Sequence, residues 1–416
     1  MLVKQHTECE MSKFVINGGK RLAGKINVSG SKTAALPILF ATMIIRGVSV
    51  IYNLPDIRDV RVSLSILRSF GAKISSQCGA TFIDTSELFY TVPDEELVSS
   101  IRASSYLLGA SLSRFKKTRI RSFGGCNFDN RPIDMHIDAM RSLGARCDGD
   151  RISCDRLVGS DIHFKKISVG ATVNAIILAA SAEGVTRIFN YAREPHVLSL
   201  VDFLVSAGAN ITLFDDFIQI AGAELHGGEV SIIPDMIEVG TYLIASIATD
   251  SRLEICGGCH GHLDSLYKSL MYGGVSLYFD EKTVKNCCSL TEYIEIETAP
   301  YPGFPTDLQP LMAPLLANSC GGVIREGVWH ARFGYLSELS GFGVKYELSS
   351  DAAAIFPSRL VCAKATATDL RGGAALLVAA LVASGESIIE SSETVGRGYE
   401  NIAKKLRAVG ADIIEI

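Results

Sequence analysis

The sequence predicts an α/β protein of two domains, each built from three copies of one unit. Three observations carry that expectation. The chain has 416 residues, 48% hydrophobic and 20% charged, which is more than one ordinary core takes up. One signature, an apolar helix end followed by glycine and a strand, occurs as LRSFGAKI, MRSLGARC, LVSAGANI, LMYGGVSL, LSGFGVKY and LRAVGADI. Its glycines, Gly71, Gly144, Gly208, Gly274, Gly343 and Gly410, recur roughly every 70 residues, as repeated structural units do.

Around each signature the elements keep one order. An Ala/Leu-rich helix such as AALPILFATMII, ATVNAIILAASAEG or GGAALLVAALVASG precedes a β-branched strand such as VSVIYNLP, VTRIFNY or ESIIES. The signature helix follows, and then two strands, as in ANITLFDDFIQIAG. The unit reads helix, strand, helix, strand, strand. Each signature glycine is expected just past a helix end, where a positive φ costs glycine nothing.

The sixth unit stops after one strand, ADIIEI, and the unpaired N-terminal stretches KFVINGG and KINVSG are expected to complete it. Residues 15–31 are therefore assigned with 234–416 to one domain and 32–233 to the other, after a tail of residues 1–14 in which Met11 is a candidate start. A site is expected between the domains, since pockets favour such interfaces.

Composition narrows the function. A net charge of −5 argues against nucleic acid and anionic membranes as partners. The N-terminus MLVKQHTECEMSKF lacks an apolar signal region. The longest apolar run, Ala374 to Ala383, is too short to span a bilayer. A cytoplasmic location follows as the expectation, and 11 scattered cysteines fit reduced thiols there.

Several charged residues stand where elements begin: Arg102 before ASSYLLGASL, Arg131 before Pro132, Arg332 in WHARFG, Arg371 after TDL, and Arg397 in TVGRGYE. Singly each also suits an ordinary surface; converging, they suit a polyanionic substrate, because guanidinium groups hold phosphate and carboxylate in pairs of hydrogen bonds. Lys32 precedes a helix N-terminus, a place for an anion. Asp307 stands at the mouth of LQPLMAPLLA, where local sequence reads it as an N-cap. CGGCHGH, residues 256–262, has one Cys pair with histidines but no second pair of zinc spacing, and reads as a glycine-rich strand-to-helix turn. Cys126 sits in GGCNFDNRPID, on a glycine-rich stretch beside Arg131.

In this order, the stretches GSKTAALPILFA, IRAS, GGC with RPIDMHI, ISVGAT, AREP, IIPDMIEVGT, TAPYPGFPTDLQ, ARFGYLSEL, ATDLRGGAALLVA and RGYENIAKKLRAVGADI resemble the UDP-N-acetylglucosamine 1-carboxyvinyltransferases, enolpyruvyl transferases of the EPSP synthase superfamily. The resemblance covers nearly the whole chain after Met11. It implies two inside-out α/β barrel (prism) domains, each of three βαβαββ-type repeats, with the active site in the interdomain cleft. It also implies transfer of the enolpyruvyl group from phosphoenolpyruvate to the 3′-hydroxyl of UDP-N-acetylglucosamine, without a metal or cofactor.

By the same resemblance Lys32, Arg131 and Arg397 clamp the phosphate of phosphoenolpyruvate, with Thr33 beside them. Arg102, Arg332 and Arg371 stabilise its carboxylate and the tetrahedral intermediate. Asp307 orients or deprotonates the sugar hydroxyl. The nucleotide site corresponds to Thr33, Arg102, Arg131, Pro132, Ile133, Asp134, Met135, Lys166, Ser168, Val169, Gly170, Asp307 and Val328. Cys126 acts as a general acid or assists product release from a closing loop, and is open to the electrophile fosfomycin.

Two departures stand out. Thr33 replaces the family's usual asparagine, and Phe128-Asp129 replaces an Ile-Gly pair after the cysteine. The sister enzyme 3-phosphoshikimate 1-carboxyvinyltransferase shares the fold and a Ser-Lys motif that GSKT echoes, and a non-catalytic sugar-nucleotide-binding paralogue is the other alternative.

Overall fold

Six helix ends are built alike. The computed structural model describes residues 12–120, 123–124, 132–258 and 260–416. In it, Gly71, Gly144, Gly208, Gly274, Gly343 and Gly410 have φ between 85° and 102°. The residue after each glycine donates its N–H five positions back, as Ala72 does to Leu67 and Ala411 to Leu406, while the glycine itself donates three back. This paired closure satisfies carbonyls the helix would leave open and turns the chain into the next strand. The accepting residues Leu67, Met140, Leu204, Leu270, Leu339 and Leu406 are at most 1% exposed, so each helix end is pinned by burial as well.

The chain divides into two compact units. One contains Val28–Met236 with Pro300–Gly303; the other contains the residues up to Asn27 with Ile237–Ala299 and Phe304–Ile416. Each is assembled from helices that are apolar on every side. In the first unit, residues 171–180 of the helix Val169–Ala180 are all buried, and it packs on Leu107–Phe115 and Asp134–Ser142. In the second unit, residues 370–381 of Leu370–Val382 are buried, and it packs on Gln309–Ala317. A helix that is apolar all round must lie inside. The strands alternate instead, as in Val185–Phe189, where Thr186 and Ile188 face inward, so the sheets form the outer layer. The arrangement is an inside-out α/β barrel.

Among the described residues there are five four-stranded sheets and one of three strands. In each four-stranded sheet the fourth strand runs parallel to the first strand of the repeat: 161–163 beside 185–189, 294–298 beside 322–326, and 364–366 beside 385–390. These leading strands turn the five-element unit into a βαβαββ repeat. Two of them are exchanged. Lys25–Asn27 precedes the helix of the first repeat but pairs with Glu254–Cys256 of the fourth. Glu229–Ser231 precedes the helix of the fourth repeat but pairs with Val48–Tyr52 of the first.

The expectation that both N-terminal strands complete the sixth repeat therefore needs correction. Lys13–Gly18 does so, lying antiparallel between Gly385–Glu390 and Asp412–Glu415. KINVSG joins the fourth, because six residues of intervening chain carry it to a different sheet edge.

No described helix is long and apolar enough to cross a membrane.

Candidate active site

Asp307 is the centre of a charge cluster in the second unit. Its Oδ1 accepts from Arg332 Nη1 at 2.7 Å and its Oδ2 from Arg371 Nε at 3.0 Å. Arg332 is 5% exposed and Arg371 2%, while about a third of the carboxylate side chain, 32%, remains open. Burial alone would raise the Asp307 pKa. The charges of Arg332 and Arg371, with their hydrogen bonds, outweigh it and hold the carboxyl far below the usual carboxylate range.

The local reading of Asp307 as an N-cap is thereby corrected. Leu308 occupies the cap of Gln309–Ala317 and no side chain caps it; the Asp307 oxygens face two guanidinium groups, a stronger partnership for an ionised acceptor.

Arg371 follows Asp369, whose carboxylate caps Leu370–Val382 by accepting from the Arg371 and Gly372 amides. Its guanidinium lies 5.2 Å from the ring centre of Tyr399, and the Tyr399 hydroxyl is 2.8 Å from Thr241 Oγ1. Tyr399 belongs to the RGYE turn that carries Arg397, and a Cβ at Gly398 would meet Leu370 Cδ2 at 2.7 Å. Close packing of that turn on the Arg371 helix is why glycine stands there. Val328 lies on the segment between the strand Gly322–Glu326 and the helix Tyr335–Gly341 that also carries Arg332, its N–H donated to Glu326.

In the first unit Ser31 caps the helix Lys32–Ala41 by accepting from Ala34, and Thr33 Oγ1 lies 3.0 Å from Ser31 Oγ. Lys32 is the first helical residue. Its ammonium pairs with Asp59 Oδ2 at 2.7 Å, at 13% side-chain exposure, and its N–H is taken by Asp235 Oδ2 at 3.0 Å. The lysine is thus positioned by two buried carboxylates that local sequence reasoning passed over.

Two further helix starts meet at His136. Ile133 precedes Asp134–Ser142, which carries Asp134 and buried Met135. Ser168 caps Val169–Ala180 by accepting from Ala171. A Cβ on Gly170 would lie 3.0 Å from His136 Cε1, so glycine lets the two come together without a shift of either. Asn174 Nδ2 donates to His136 Nδ1 at 2.8 Å, and Asn174 Oδ1 accepts from the Gly109 amide at 2.7 Å. His136 is 4% exposed. Burial, then the charge of Arg102, lower its pKa to about 4 against a weaker opposing effect of Asp134; the ring is neutral at pH 7, with its proton on Nε2. Burial also lowers the Arg102 pKa and raises that of Tyr106 to about 12. Arg102, the residues 132–135 and the residues 168–170 therefore share one neighbourhood. Lys166 is exposed beside it.

Cys126, Arg131, Phe128 and Asp129 lie outside the described residues. A cavity of about 400 Å³ lined by Ile167, Asn190, Tyr191, Arg193, Asp215, Asp216 and Tyr301 contains none of the expected site residues. In CGGCHGH, Cys259 lies outside the described residues; the strand Glu254–Cys256 precedes it, and a single 3-10 turn, His260–His262, leads to the helix Asp264–Tyr272, with His260 Nε2 contacting the Asp280 carbonyl. No group of three or more metal-ligating side chains occurs among the described residues.

Residues 16–406 match the profile of EPSP synthase (3-phosphoshikimate 1-carboxyvinyltransferase). UDP-N-acetylglucosamine 1-carboxyvinyltransferase 3 of Caldanaerobacter subterraneus subsp. tengcongensis is 42% identical over 98% of this chain and 100% of its own. The enzyme of that name from Clostridium botulinum is 41% identical, with the same coverage. Among solved structures, the enolpyruvyl transferase NikO from Streptomyces tendae superimposes with a TM-score of 0.87 at 27% identity, covering 98% of this chain and 99% of that one. EPSP synthase from Acinetobacter baumannii, at 16% identity and a TM-score of 0.74 over 97% of this chain and 100% of that one, shares the fold. The profile match over residues 16–406 and the fold place the chain in the EPSP synthase family of enolpyruvyl transferases. Within that family the chain belongs with the UDP-N-acetylglucosamine 1-carboxyvinyltransferases.

Proposed function

We propose that this chain transfers the enolpyruvyl group of phosphoenolpyruvate to the 3′-hydroxyl of UDP-N-acetylglucosamine and releases phosphate, the first committed step of peptidoglycan biosynthesis. The observation that carries this reading is identity of about two residues in five over the full chain with enzymes of that name. The Asp307–Arg332–Arg371 cluster supports it chemically.

With both oxygens bound by guanidinium groups, Asp307 is ionised but a weak base. The carboxylate of phosphoenolpyruvate competes for Arg332 and Arg371. As they turn to it, Asp307 loses the charges that depress its pKa and becomes a better base for the sugar hydroxyl. The hydroxyl oxygen then bonds to C2 of phosphoenolpyruvate, its proton leaves to Asp307, and C3 takes a proton from a general acid, the part open to Cys126. The tetrahedral intermediate collapses by expelling phosphate from C2 and returning a proton from C3 to the conjugate base of that acid, which restores the double bond. Lys32, Arg131 and Arg397 carry the charge of the departing phosphate, a task for fixed cations. Arg102 assists at the carboxylate, and Thr33 supplies one hydrogen-bond donor where the family's asparagine would supply two.

The residues 132–135 and 168–170, with Lys166 and Val328, hold the nucleotide; helix N-termini suit its diphosphate. Cys126 serves as proton donor or in product release and is the residue fosfomycin alkylates. Cytoplasmic location and indifference to nucleic acid and membranes complete the reading.

The test is phosphate release by the full chain with phosphoenolpyruvate and each acceptor in turn. Release with UDP-N-acetylglucosamine and none with shikimate 3-phosphate is expected. The reverse preference would make it the sister enzyme, and no release with either would make it a non-catalytic binder.

A further inference from the structure

Glu326 ends the strand Gly322–Glu326 and is 1% exposed. Its Oε1 accepts from Thr298 Oγ1 at 2.5 Å and from the amides of Val328 and Trp329 at 2.9 Å each. Its Oε2 accepts from Thr306 Oγ1 at 2.9 Å. Thr306 in turn accepts from Arg332 Nη1 at 3.0 Å, and the same nitrogen donates to Asp307 Oδ1 at 2.7 Å.

A hydroxyl has one proton and two lone pairs. Thr306 donates that proton to Glu326 Oε2, and its lone pairs are left for Arg332. The chain of bonds has one direction, from Arg332 through Thr306 to Glu326, and it ends on a side chain that accepts from four donors. Two parallel neighbouring strands, Ile294–Thr298 and Gly322–Glu326, bring Thr298 and Glu326 side by side, and the segments that follow them carry Asp307 and Arg332. One buried carboxylate is therefore hydrogen-bonded to both segments, to Thr306 in one and to the Val328 and Trp329 amides in the other.

We propose that Glu326 is a positioning residue for the transfer reaction: through Thr306 it holds the Arg332 guanidinium at the angle that meets Asp307. The proposal rests on the function given above. A glutamine cannot substitute for it. With its amide nitrogen toward Thr306, the hydroxyl must accept from it as well as from Arg332, and its own proton loses the oxygen that took it. Flipped, the nitrogen would face two backbone N–H groups instead. Either way a buried donor is left without its acceptor.

The experiment compares full-length Glu326→Gln, Thr306→Val, Thr306→Ser and the double variant Glu326→Gln/Thr306→Val. Glu326→Gln and Thr306→Val should each lower kcat/KM for phosphoenolpyruvate at least about tenfold, and the double variant should be no worse than the poorer single one, as for residues acting in series. Thr306→Ser, which keeps the hydroxyl, should stay within about threefold of the unaltered protein. Thr306→Val should leave UDP-N-acetylglucosamine affinity nearly unchanged, because the Glu326 bonds to Val328 and Trp329 survive in it.

Losses that multiply in the double variant, or a Glu326→Gln protein with unaltered kcat/KM, would overturn the proposal. Absence of turnover in the unaltered protein would count against the functional reading alone. The crystal structure of Glu326→Gln then decides positioning separately: Arg332 should leave Thr306 and shift against Asp307, and an unmoved guanidinium would refute it.

Discussion

Arg371 donates from Nε to Asp307 Oδ2 at 3.0 Å across 64 positions of chain. The guanidinium is almost fully buried, and the carboxylate is the open partner. The cation packs against Tyr399, its guanidinium carbon 5.2 Å from the ring centre.

Asp307→Ala should reduce kcat at least about a hundredfold, the low end for loss of a positioned acid–base group, with UDP-N-acetylglucosamine binding weakened less. It also strands two buried cations. Urea unfolding should show a loss of about 3 kcal/mol, the low end for a broken buried pair, since the carboxylate is partly hydrated. Asp307→Asn keeps acceptor and shape, so it should recover part of that stability and none of the rate. A kcat close to that of the unaltered protein in either variant would remove Asp307 from the chemistry.

His136 links pH to stability. Its pKa falls from the ordinary 6.5 to about 4 in the folded protein, so folding binds fewer protons there. The contribution is full above pH 6.5 and is lost as pH falls toward 4. The difference amounts to about 3 kcal/mol at acid pH. Denaturant unfolding measured across this window should steepen with acidity, and His136→Gln should flatten the curve. An unchanged slope would show that another group titrates.

Fosfomycin should alkylate Cys126 alone among the 11 cysteines, and faster with UDP-N-acetylglucosamine present. A loop closing over the nucleotide would bring thiolate, epoxide and phosphonate together, and such proximity contributes roughly 7 kcal/mol in well-oriented systems. Peptide mass spectrometry reads the site. Cys126→Asp should abolish labelling while keeping turnover, since a carboxylic acid also donates a proton, whereas Cys126→Ser should be much slower. Labelling elsewhere, or no dependence on nucleotide, would place Cys126 outside the site.

The strand Lys13–Gly18 fills the gap between Gly385–Glu390 and Asp412–Glu415 and hydrogen-bonds to both. Residues 234–416 alone should therefore lack a cooperative melt and regain one when residues 12–31 are attached. Residues 32–233 should fold alone. Native-like exchange protection in 234–416 by itself would contradict this.

Much of the fold was legible because its signals are local. A glycine with positive φ and an apolar residue four positions before it define a helix end within six residues, and all six ends could be read that way. Helices apolar on every side announced the buried centre. The leading strands were not legible as such: three-residue segments such as Lys25–Asn27 have too few alternations to name a partner, and either neighbouring sheet edge is within reach of the chain.

The same division holds at the site. The sequence by itself determined which residues could do the chemistry: five arginines at the starts of elements, Lys32 at a helix N-terminus, Asp307 in PTDLQ and a thiol on a glycine-rich stretch, because side-chain type and backbone freedom are properties of a few adjacent residues. Only the tertiary structure decided what those groups are bonded to. It turned Asp307 from a helix cap into the shared partner of Arg332 and Arg371, set Lys32 between Asp59 and Asp235, and placed Glu326 and His136 behind the expected residues. The physical reason is that a buried charge takes its meaning from the partner that offsets its desolvation, and here those partners lie tens to hundreds of residues away in the chain, brought together only when the sheets close around the helices.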